Sequence, residues 1–547
     1  MIHEPAGEAL RVSFQPSMLL VHPPVAKPCE PPAGVAKLFG ALHSHGARCD
    51  ILDANVESLL SLLHGPHTST DAWTHRASRN LSTHIALLRS WAAYAHLARY
   101  KRAVLDLNHL LQMAANSKGY RLSMTNYQHP ELSPIRSADL IRAAERPEEN
   151  PFSPYLQRRL RQVLEEDQPS VLGFSLNYLS QALCTFAMIG FLRRDFPGIK
   201  LALGGGLVTS WMRRPSWQDP FQGLVDVLVA GPGEHPLLGM MNIPGGTDEI
   251  HSRPDYDHFP LEDYFAPGRI LPYSSSSGCY WNRCLFCPER AEGSPYTPIP
   301  VDRVMLDLNI LIHKMKPVLI HLLDNAIPPA LMEKIAAHPP GVPWYGFARI
   351  TRHLTDLDFC LALKKSGCVL LQLGLESGDQ GVLEQMQKGI DLGMASRALK
   401  VLKKAGIATY VYLLFGTPME TMTTARRTLD FTVQLHDQIG FLNLAIFNLP
   451  LYAPEAGKVE TEKFYEGDLT LYTNFFHPHG WDRTSVRQFL DKEFKRHPAI
   501  APILRRDPPI FTSNHAAFFV LGKGPGRFSG RGTASSDSSP FGCEIVS

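Results

Sequence analysis

The feature that most constrains this chain is a group of three cysteines, Cys279, Cys284 and Cys287, within nine residues. The chain has only nine cysteines in 547 residues. The group follows a short apolar segment, 270–273, and a serine-rich run that ends at Gly278, which predicts a loop at the end of a strand. A structural zinc ion takes four protein ligands, whereas three thiolates on a [4Fe–4S] cluster leave one iron open. On the cysteines alone, a zinc loop and a cluster loop are both open interpretations.

Strand and helix patterns alternate through the region that contains the cysteines. The strand patterns lie at 270–273, 318–323, 344–350, 369–375, 409–415 and 441–449, with helical patterns such as 395–405 and 423–435 between them. Six strand–helix units predict an open, partial (β/α)6 barrel of the TIM type over residues 269–450. In such barrels the chemistry lies at the carboxyl ends of the strands, where the cysteine loop is also predicted to lie.

Polar residues and glycines lie in or directly after the other five predicted strands. Asp324 follows the second strand, the third contains Arg349, Gly374, Glu376 and Ser377 lie at the end of the fourth, Gly416 and Pro418 follow the fifth, and the sixth carries Asn443. Taken singly, each has an ordinary explanation as a helix cap, a surface charge or a turn. Five strand ends in register with the cysteine loop instead predict one site to which all of them contribute.

The cysteine stretch resembles the cluster loop of the radical S-adenosylmethionine (SAM) superfamily, with its C-x-x-x-C-x-x-C spacing and an aromatic residue before the last cysteine. Phe286 is in the aromatic place and the second gap fits, but the first gap has four residues rather than three. We interpret this as a longer loop. Residues 374–378 resemble the family's G-x-E-S-G segment, 416–420 its G-x-P-x-E segment, and 383–389 the run that follows its fourth strand.

This resemblance implies a [4Fe–4S] cluster on the three cysteines, whose open iron chelates SAM. One-electron cleavage would then give methionine and a 5′-deoxyadenosyl radical, with an electron donor such as flavodoxin or ferredoxin as partner. The resemblance also implies cofactor contacts for Phe286 and for the strand-end residues above, with Glu376 at the ribose or amino group of SAM. Such chemistry requires a dry, enclosed cavity, because a carbon radical abstracts hydrogen from whatever is near it.

Residues 1–240 predict a Rossmann-like parallel α/β sheet with a mostly helical insertion at 56–166. Its predicted strands end in small or polar residues, and in open α/β sheets ligands bind beyond the carboxyl ends of the strands. The predicted ligand cleft is formed by Ser175, Asn177, Gly204, Gly205 and Gly206, with Glu234 after the last strand. Glycines at such a place let the backbone approach a large cofactor closely.

This half resembles the cobalamin-binding domain that precedes the radical domain in one large branch of the superfamily. Those domains carry S-x-L and, further on, G-G; here Ser175-Leu176-Asn177 is followed by Gly204-Gly205, with Asn in the place of Leu. The second signature, D-x-H-x-x-G, whose His binds the lower face of cobalt, is absent from the sequence. The resemblance therefore implies cobalamin without that ligand, with His22 as a candidate from elsewhere. An empty Rossmann-like scaffold is the alternative.

The charge composition indicates which classes of partner are to be expected. The net charge is +2, from 54 basic and 52 acidic residues, which predicts neither a nucleic-acid nor a membrane partner. The first residues lack the pattern of a signal peptide, and no apolar run approaches the ~20 residues that span a bilayer. With an odd number of mostly scattered cysteines, a disulfide framework is not expected. We expect a cytoplasmic protein.

The remaining segments are a linker at 241–268, a mostly helical region at 451–521 that would cover the barrel and shape the substrate pocket, and a Gly/Ser-rich tail at 522–547 that is predicted to be disordered. The sequence thus predicts a cobalamin-dependent radical SAM enzyme that methylates an unactivated carbon of a small-molecule, lipid or peptide substrate. The alternatives are a radical SAM enzyme with an empty Rossmann-like domain that catalyses a cyclisation or rearrangement, and a zinc-bound scaffold protein.

Overall fold

The structure is a computed structural model that describes residues 17–67, 71–115, 119–214, 216–244, 252–285, 287–463, 466–509 and 515–521. The predicted aromatic contact Phe286 and the predicted disordered tail 522–547 lie outside the described residues.

The first half contains a five-stranded parallel sheet in the order β2-β1-β5-β6-β7. Its first elements are β1 (Ser17–Val21), α1 (Ala33–Ser44) and β2 (Arg48–Leu52). Every residue of β5 is buried, as expected of a central parallel strand covered by helices on both faces. The turn after α1 contains Gly46 at φ +73°, a left-handed conformation that glycine adopts without steric cost.

The predicted helical insertion separates β2 from β5. Its elements are α2 (Ala54–His64), α3 (Ala72–Arg79), α4 (Leu81–Leu88), α5 (Trp91–Ala95), α6 (Leu97–Ala115), a short hairpin of β3 (Arg121–Leu122) and β4 (Tyr127–Gln128), α7 (Ser137–Glu145) and α8 (Ser153–Asp167). Buried side chains such as Leu59, Leu107 and Leu160 join it to one face of the sheet. The sheet then continues with β5 (Val171–Ser175), α9 (Leu179–Asp195), β6 (Lys200–Gly204), α10 (Gly206–Met212), β7 (Val227–Leu228) and α11 (Glu234–Met240).

The second half is a six-stranded parallel sheet in the order β15-β14-β13-β12-β11-β8, the open barrel that the sequence predicts. Its elements are β8 (Ile270–Tyr273), β9 (Ser276–Ser277), α12 (Pro288–Ala291), β10 (Thr297–Pro298), α13 (Val301–Met315), β11 (Leu319–Leu322), α14 (Pro329–Ala337), β12 (Trp344–Ala348), α15 (Leu357–Lys365), β13 (Cys368–Glu376), α16 (Gln380–Gln385), α17 (Leu392–Ala405), β14 (Ala408–Phe415), α18 (Met422–Gln434) and β15 (Phe441–Ile446).

Side chains alternate between the two faces of the barrel strands. Leu371, Leu373 and Leu375 of β13 pack with the surrounding helices. The other face lines the interior, where an apolar layer at the amino ends of the strands includes Leu319 and Tyr345. The interior is therefore filled at one end, and its polar residues lie nearer the cysteine loop.

The last region contains a small antiparallel sheet as well as the predicted helices. Its elements are β16 (Leu449–Pro450), β17 (Thr461–Glu462), β18 (Tyr472–Phe475), α19 (Arg483–Phe489), α20 (Ala501–Arg506) and α21 (Ala517–Val520). His515 and Phe519 pack edge-to-face with Phe441 in the apolar layer of the barrel, while Phe518 packs on Tyr94 and Tyr100 of the insertion. Residues 515–521 thus close the barrel at the side opposite the cysteines.

One hydrophobic core runs across both halves. Phe39 of α1 belongs to the same buried cluster as Leu271 of β8 and Leu308 of α13, with Tyr256 of the linker between the halves. Within the described residues, no helix has the length and apolar character needed to cross a membrane.

Candidate functional site

The cysteine loop is anchored at both ends by backbone contacts. Gly278 has φ +70°, and a Cβ there would lie 2.4 Å from the carbonyl oxygen of Pro295, so only glycine fits. Asn325, which follows β11, donates from Nδ2 to the Gly278 carbonyl at 3.3 Å. The backbone N–H of Leu285 donates to the Met386 carbonyl at 2.9 Å. These contacts hold the loop over the carboxyl ends of the barrel strands.

Trp281 lies in the four-residue gap between the first two cysteines. Its Nε1 donates to the Gln387 carbonyl at 3.1 Å, and the Arg349 guanidinium lies 4.2 Å from the centre of its ring. A Cβ at Gly389 would meet the Trp281 ring at 2.2 Å. The longer loop is thus fixed to the run that follows β13, and the left-handed Asn282 (φ +41°) turns the chain back toward Cys284.

The three thiols are free and half-buried. Burial raises the pKa of Cys287, backbone N–H groups of Arg290 and Glu289 oppose this, and negative charge on Cys284 raises that pKa further. Among the described residues, no three His, Cys, Asp or Glu side chains are close enough to hold one metal ion. The four irons of a cluster are at separate corners, so its thiolate ligands stand further apart than the ligands of one ion. Thiolates are the usual ligands of an iron–sulfur cluster, so three free thiols on one anchored loop fit such a cluster. A structural zinc ion needs four ligands close together, and the described residues contain no such group.

A group of charged residues surrounds Cys284. Lys388 donates from Nζ to Oε1 of Glu376 at 2.7 Å, and both side chains are mostly buried. Burial lowers the pKa of Lys388, but the negative charges of Glu376 and Cys284 outweigh burial and leave the pKa raised. Arg349 donates to the Lys388 carbonyl, and its Nη1 lies 3.9 Å from Sγ of Cys284. Two cations are therefore placed beside one thiol of the loop.

Glu376 has a left-handed backbone at φ +68°, at the register shift that ends the pairing of β13 with β14. Non-glycine residues seldom adopt this conformation. It turns the carboxylate toward Lys388 at the edge where the cysteine loop lies. Gly374 allows this, because a Cβ there would meet Oε1 of Glu376 at 2.6 Å and Nζ of Lys388 at 2.9 Å.

Two other predicted residues, Asp324 and Ser377, are occupied by contacts within the protein. The Asp324 carboxylate accepts hydrogen bonds from Ser275 and Ser276, so it fixes the strand end that leads into the cysteine loop, and burial raises its pKa. Ser377 shares a hydrogen bond with Thr428 of α18 and accepts one from the Asp379 N–H.

Gly416 and Pro418 form the turn after β14, where the Gly416 N–H donates to Oε2 of Glu420 at 2.5 Å. Trp481 donates to the same oxygen at 2.8 Å. Asn443 is paired in register with Tyr412 and lies on the interior face of β15, half-buried.

The residues of the predicted cleft in the first half lie in two loops, after β5 and after β6, that are hydrogen-bonded to each other. Nδ2 of Asn177 donates to Oγ of Ser175 at 3.0 Å, and its Oδ1 accepts from the Gly206 N–H at 2.9 Å. Gly205 has φ +107°, and a Cβ there would lie 2.4 Å from the Leu176 carbonyl oxygen. The side chain of Asn177 thus joins the loops after β5 and β6. Gly204, the last residue of β6, lies against Val229.

Glu234 and His22 lie away from this turn's open surface. Glu234 is 4% exposed and pairs with Lys37 of α1 at 2.9 Å. His22 is 5% exposed. Burial lowers its pKa, and the charge of Asp53 opposes this.

The two strand-end edges meet beside the cysteine loop. Ser210 of α10 donates to Oε1 of Glu292 at 2.6 Å. Arg213 donates to the Glu292 carbonyl at 3.1 Å and to Oγ of Ser294 at 2.5 Å. Glu292 follows α12, the helix that begins directly after Cys287. The turn at Gly204–Gly206 and the cysteine loop therefore belong to neighbouring elements in contact.

Several residues that surround this site had no role in the sequence analysis: Glu30, Tyr178, Trp281, His321, Gln372 and Lys388. Glu30 and His321 are 291 positions apart, yet Oε1 of Glu30 lies 2.8 Å from Nδ1 of His321. No local pattern marks such a pair. Lys388 is within the run that resembles the family, which was the one available signal.

The model of the radical SAM superfamily matches residues 273–432. This range starts at the end of β8 and includes the cysteine loop, Glu376 and Lys388. Residues 273–432 are a radical SAM domain.

Two curated relatives match beyond this domain. An uncharacterised methyltransferase, PH0819, of Pyrococcus horikoshii is 28% identical over 240 residues, which are 39% of this chain and 50% of the relative. The anaerobic magnesium-protoporphyrin IX monomethyl ester cyclase of Rubrivivax gelatinosus is 23% identical over 294 residues, half of each chain. The chain thus spans about half the length of each of these relatives.

Two solved structures are similar over most of the chain. The cobalamin-dependent SAM radical enzyme OxsB, with aqua-cobalamin bound, has a TM-score of 0.57 at 12% identity and covers 87% of this chain and 67% of its own. The radical SAM methyltransferase TsrM of Kitasatospora setae, with tryptophan substrate and a SAM analogue, has a TM-score of 0.51 at 16% identity and covers 80% of this chain and 74% of its own. The likeness includes the Rossmann-like half as well as the radical SAM domain, since the domain alone is far shorter than the covered share.

Proposed function

We propose that this protein is a cobalamin-dependent radical SAM enzyme that transfers a methyl group to an unactivated carbon of a small-molecule substrate. The proposal is supported by the radical SAM domain, by a fold shared with OxsB and TsrM, and by a relative that is named a methyltransferase.

The observation that carries the proposal is the contact between α10 and the segment after the cysteine loop. It sets the Gly204–Gly206 turn of the first half beside the thiols of the second. In open α/β sheets and in barrels alike, ligands bind at the carboxyl ends of the strands. A cofactor at the first edge would therefore lie next to a cofactor at the second.

In this proposal each group of residues has a separate role. Cys279, Cys284 and Cys287 would hold the cluster, and Glu376 would orient SAM. When bound, the cluster with SAM would supply one-electron cleavage of SAM, and cobalamin would supply the methyl group. Lys388 and Arg349 keep positive charge beside Cys284 and would favour the thiolate that ligates iron.

Ser175, Asn177, Gly204, Gly205 and Gly206 would line the cobalamin side of the cavity. The segment 515–521, with His515 and Phe519 on Phe441, closes the opposite end of the barrel. That closure would exclude water from the interior. A ring-closure reaction is the second candidate, because the Rubrivivax gelatinosus relative is named a cyclase.

Anaerobic reconstitution tests the proposal. The full chain should bind about four irons and four sulfides per chain, as a [4Fe–4S] cluster requires, and should retain added cobalamin. With a one-electron reductant added to reduce the cluster, it should convert SAM both to 5′-deoxyadenosine and to S-adenosylhomocysteine, the product that remains when SAM donates its methyl group.

Cys284→Ala should lose the cluster and the formation of 5′-deoxyadenosine, whereas Cys49→Ala, in β2 of the other half, should keep both. A full iron content in Cys284→Ala, or a colourless protein that contains zinc, would reject the cluster assignment. Cleavage of SAM without cobalamin retention or S-adenosylhomocysteine would favour ring closure or rearrangement.

A further inference from the structure

The barrel interior contains a polar layer between the apolar layer and the cysteine loop. Strand register brings its members together: His321 pairs with Tyr345, Phe347 with Gln372, and Gly374 with Tyr412. His321, Phe347 and Tyr412 are only partly buried although they face the inside of the barrel. The interior is therefore open above the apolar layer.

The first half contributes an acid to this layer. Glu30 lies in the segment between β1 and α1, and its Oε1 lies 2.8 Å from Nδ1 of His321. The His321 ring is stacked on Tyr345, with centroids 4.3 Å apart and an interplanar angle of 11°. Burial raises the pKa of Tyr345, and the negative charge of Glu30 raises it further. The charge of Glu30 thus acts on the wall of the barrel interior.

Tyr178 marks the open space between the halves. It follows the loop after β5 and is 50% exposed. Nevertheless burial raises its pKa, with Glu30 and Cys29 as the next causes. The ring of Tyr178 is therefore close enough to Glu30 to sense its charge. Tyr178 lies directly after Asn177, a residue of the predicted cobalamin turn, so that turn and Glu30 lie near one another.

Two acceptor atoms of this layer are unused. Oε2 of Glu30 and Oε1 of Gln372 are buried and have no hydrogen-bond partner within the described residues. Gln372 is 3% exposed, and its Nε2 donates to the Tyr412 hydroxyl at 3.1 Å, which fixes the amide. Leaving a buried acceptor unpaired is costly. A ligand that donates hydrogen bonds would remove that cost at both atoms.

The chemistry of such a ligand follows from the surroundings. The layer has a carboxylate with a free oxygen, a second free acceptor and the partly exposed aromatic rings of Phe347 and Tyr412. Carboxylates and aromatic faces both attract cations, and a charge-assisted hydrogen bond is stronger than a neutral one. A carboxylate or phosphate of a ligand would be repelled by Glu30, and an acyl chain would leave both acceptors unpaired.

We propose that the substrate is a small molecule with a protonated amine, and that this amine binds in the barrel interior to Glu30 and Gln372. This inference rests on the proposed function, since it assigns the substrate class of the same cavity. Glu30 and Gln372 are then specificity-determining residues, with the amine held below the cysteine loop and the carbon to be modified toward it.

The test uses two probes of equal shape and opposite charge, 2-phenylethylamine and 3-phenylpropanoate, titrated into the reconstituted full chain by calorimetry. The amine should bind at least about tenfold more tightly than the acid, the ratio expected for one charge-assisted hydrogen bond. Glu30→Gln keeps the shape of the side chain and should weaken amine binding about tenfold. Gln372→Met should weaken it less. Glu131→Gln, an exposed acid on the insertion, should change nothing.

Equal affinity for the two probes, or unchanged amine affinity in both Glu30→Gln and Gln372→Met, would overturn the inference. Circular dichroism of each variant separates lost binding from lost folding, and the two variants change different halves of the molecule. Formation of 5′-deoxyadenosine is measured in the same samples. SAM cleavage without amine preference rejects the substrate class alone, whereas amine preference in a protein that binds no cluster rejects the proposed function alone.

Discussion

At the residue scale, Glu376 is the side chain on which sequence and structure can be compared most directly. Its place in the G-x-E-S-G segment predicts a contact with SAM. The structure adds its partner, Lys388, and a left-handed backbone. Strained conformations are retained where the surroundings enforce them, and they cluster at functional sites. The sequence could indicate the glutamate but not the ion pair. Lys388 is twelve positions further along, and only the folded chain brings its ammonium group to the Glu376 carboxylate.

Glu376→Gln should weaken SAM binding about tenfold or more while the iron content stays unchanged, because an amide cannot offer a full negative charge to the amino group or bind the ribose as strongly. Equilibrium binding of SAM to the reconstituted protein measures this. Glu384→Gln, on α16, is the matched control. Equal SAM affinity in the wild-type protein and in Glu376→Gln would show that the carboxylate serves only to pair with Lys388.

Gly389 provides a test of how the longer cysteine loop is held. Gly389→Ala should displace Trp281, since the new Cβ would meet its ring at 2.2 Å, and should lower cluster retention during gel filtration. Gly341→Ala is the control, because Gly341 also has a positive φ (+76°) but has open space around its Cβ position. It suffers the same backbone strain of about 1 kcal/mol without the collision. Equal iron retention in the two variants would mean that the contact of Trp281 with Gly389 does not position the loop.

At the element scale, the sequence predicted the six barrel strands because each combines a buried apolar run with a polar end. The strand predicted at 441–449 shows where this kind of prediction fails. In the structure β15 ends at Ile446, and a separate strand, β16, begins at Leu449. Both pieces are apolar, and only the pairing of β16 with β18 distinguishes them. The predicted mostly helical region at 451–521 shows a similar limit, since α19 ends at Phe489 and the next five residues widen into a π-helical turn.

The turn after β14 predicts a pH dependence of stability. Burial raises the pKa of Glu420 to about 7 from 4.5, while the Gly416 N–H and Trp481 lower it. The folded protein therefore holds a proton that the unfolded chain has lost, and stability falls as pH rises from about 4.5 to about 7. The full effect is on the order of 3 kcal/mol.

Glu420→Gln replaces the titrating acid with a neutral group of the same shape. The variant should match the wild-type protein in Tm near pH 5 and exceed it near pH 8, as measured by thermal unfolding across that range. Glu131→Gln should parallel the wild-type protein throughout. A constant Tm difference between Glu420→Gln and the wild-type protein at all pH values would contradict a raised pKa at this carboxyl group.

At the scale of the whole molecule, the two sheets could be predicted separately, but their relative position could not. Phe39 and Leu271 are both ordinary core residues in their own segments, and nothing local indicates that they share one buried cluster. The same holds for Ser210 and Glu292, which join the two strand-end edges. A site built from both halves therefore becomes visible only in the folded chain, which is why Glu30 and Gln372 gave no signal in the sequence.

The position of His22 leads to a prediction about cobalamin. His22 directly follows β1, at the sheet edge where the cofactor is proposed to lie, and the chain lacks the signature that supplies an imidazole ligand. The structure places the ring inside the first half: it is 5% exposed, its backbone N–H donates to the Leu52 carbonyl at 2.9 Å, and Asp53 is a charged neighbour. An imidazole so enclosed would have to leave its pocket to reach a metal. Because axial ligands tune the electronic properties of a metal, the lower ligand affects the chemistry that cobalamin can supply.

We therefore expect that the imidazole of His22 does not ligate bound cobalamin. Electron paramagnetic resonance of the full chain loaded with cob(II)alamin should give a spectrum without superhyperfine splitting from an axial nitrogen. His22→Ala should give the same spectrum, with free cob(II)alamin whose own dimethylbenzimidazole is coordinated as the positive control for the splitting. A splitting that is present in the wild-type protein and lost in His22→Ala would identify His22 as the ligand, and would require the segment between β1 and α1 to rearrange when the cofactor binds. Splitting that persists in His22→Ala would instead come from the cofactor's own base or another histidine, and in either case the lower face would be occupied by nitrogen, contrary to the unligated state that the missing signature implies.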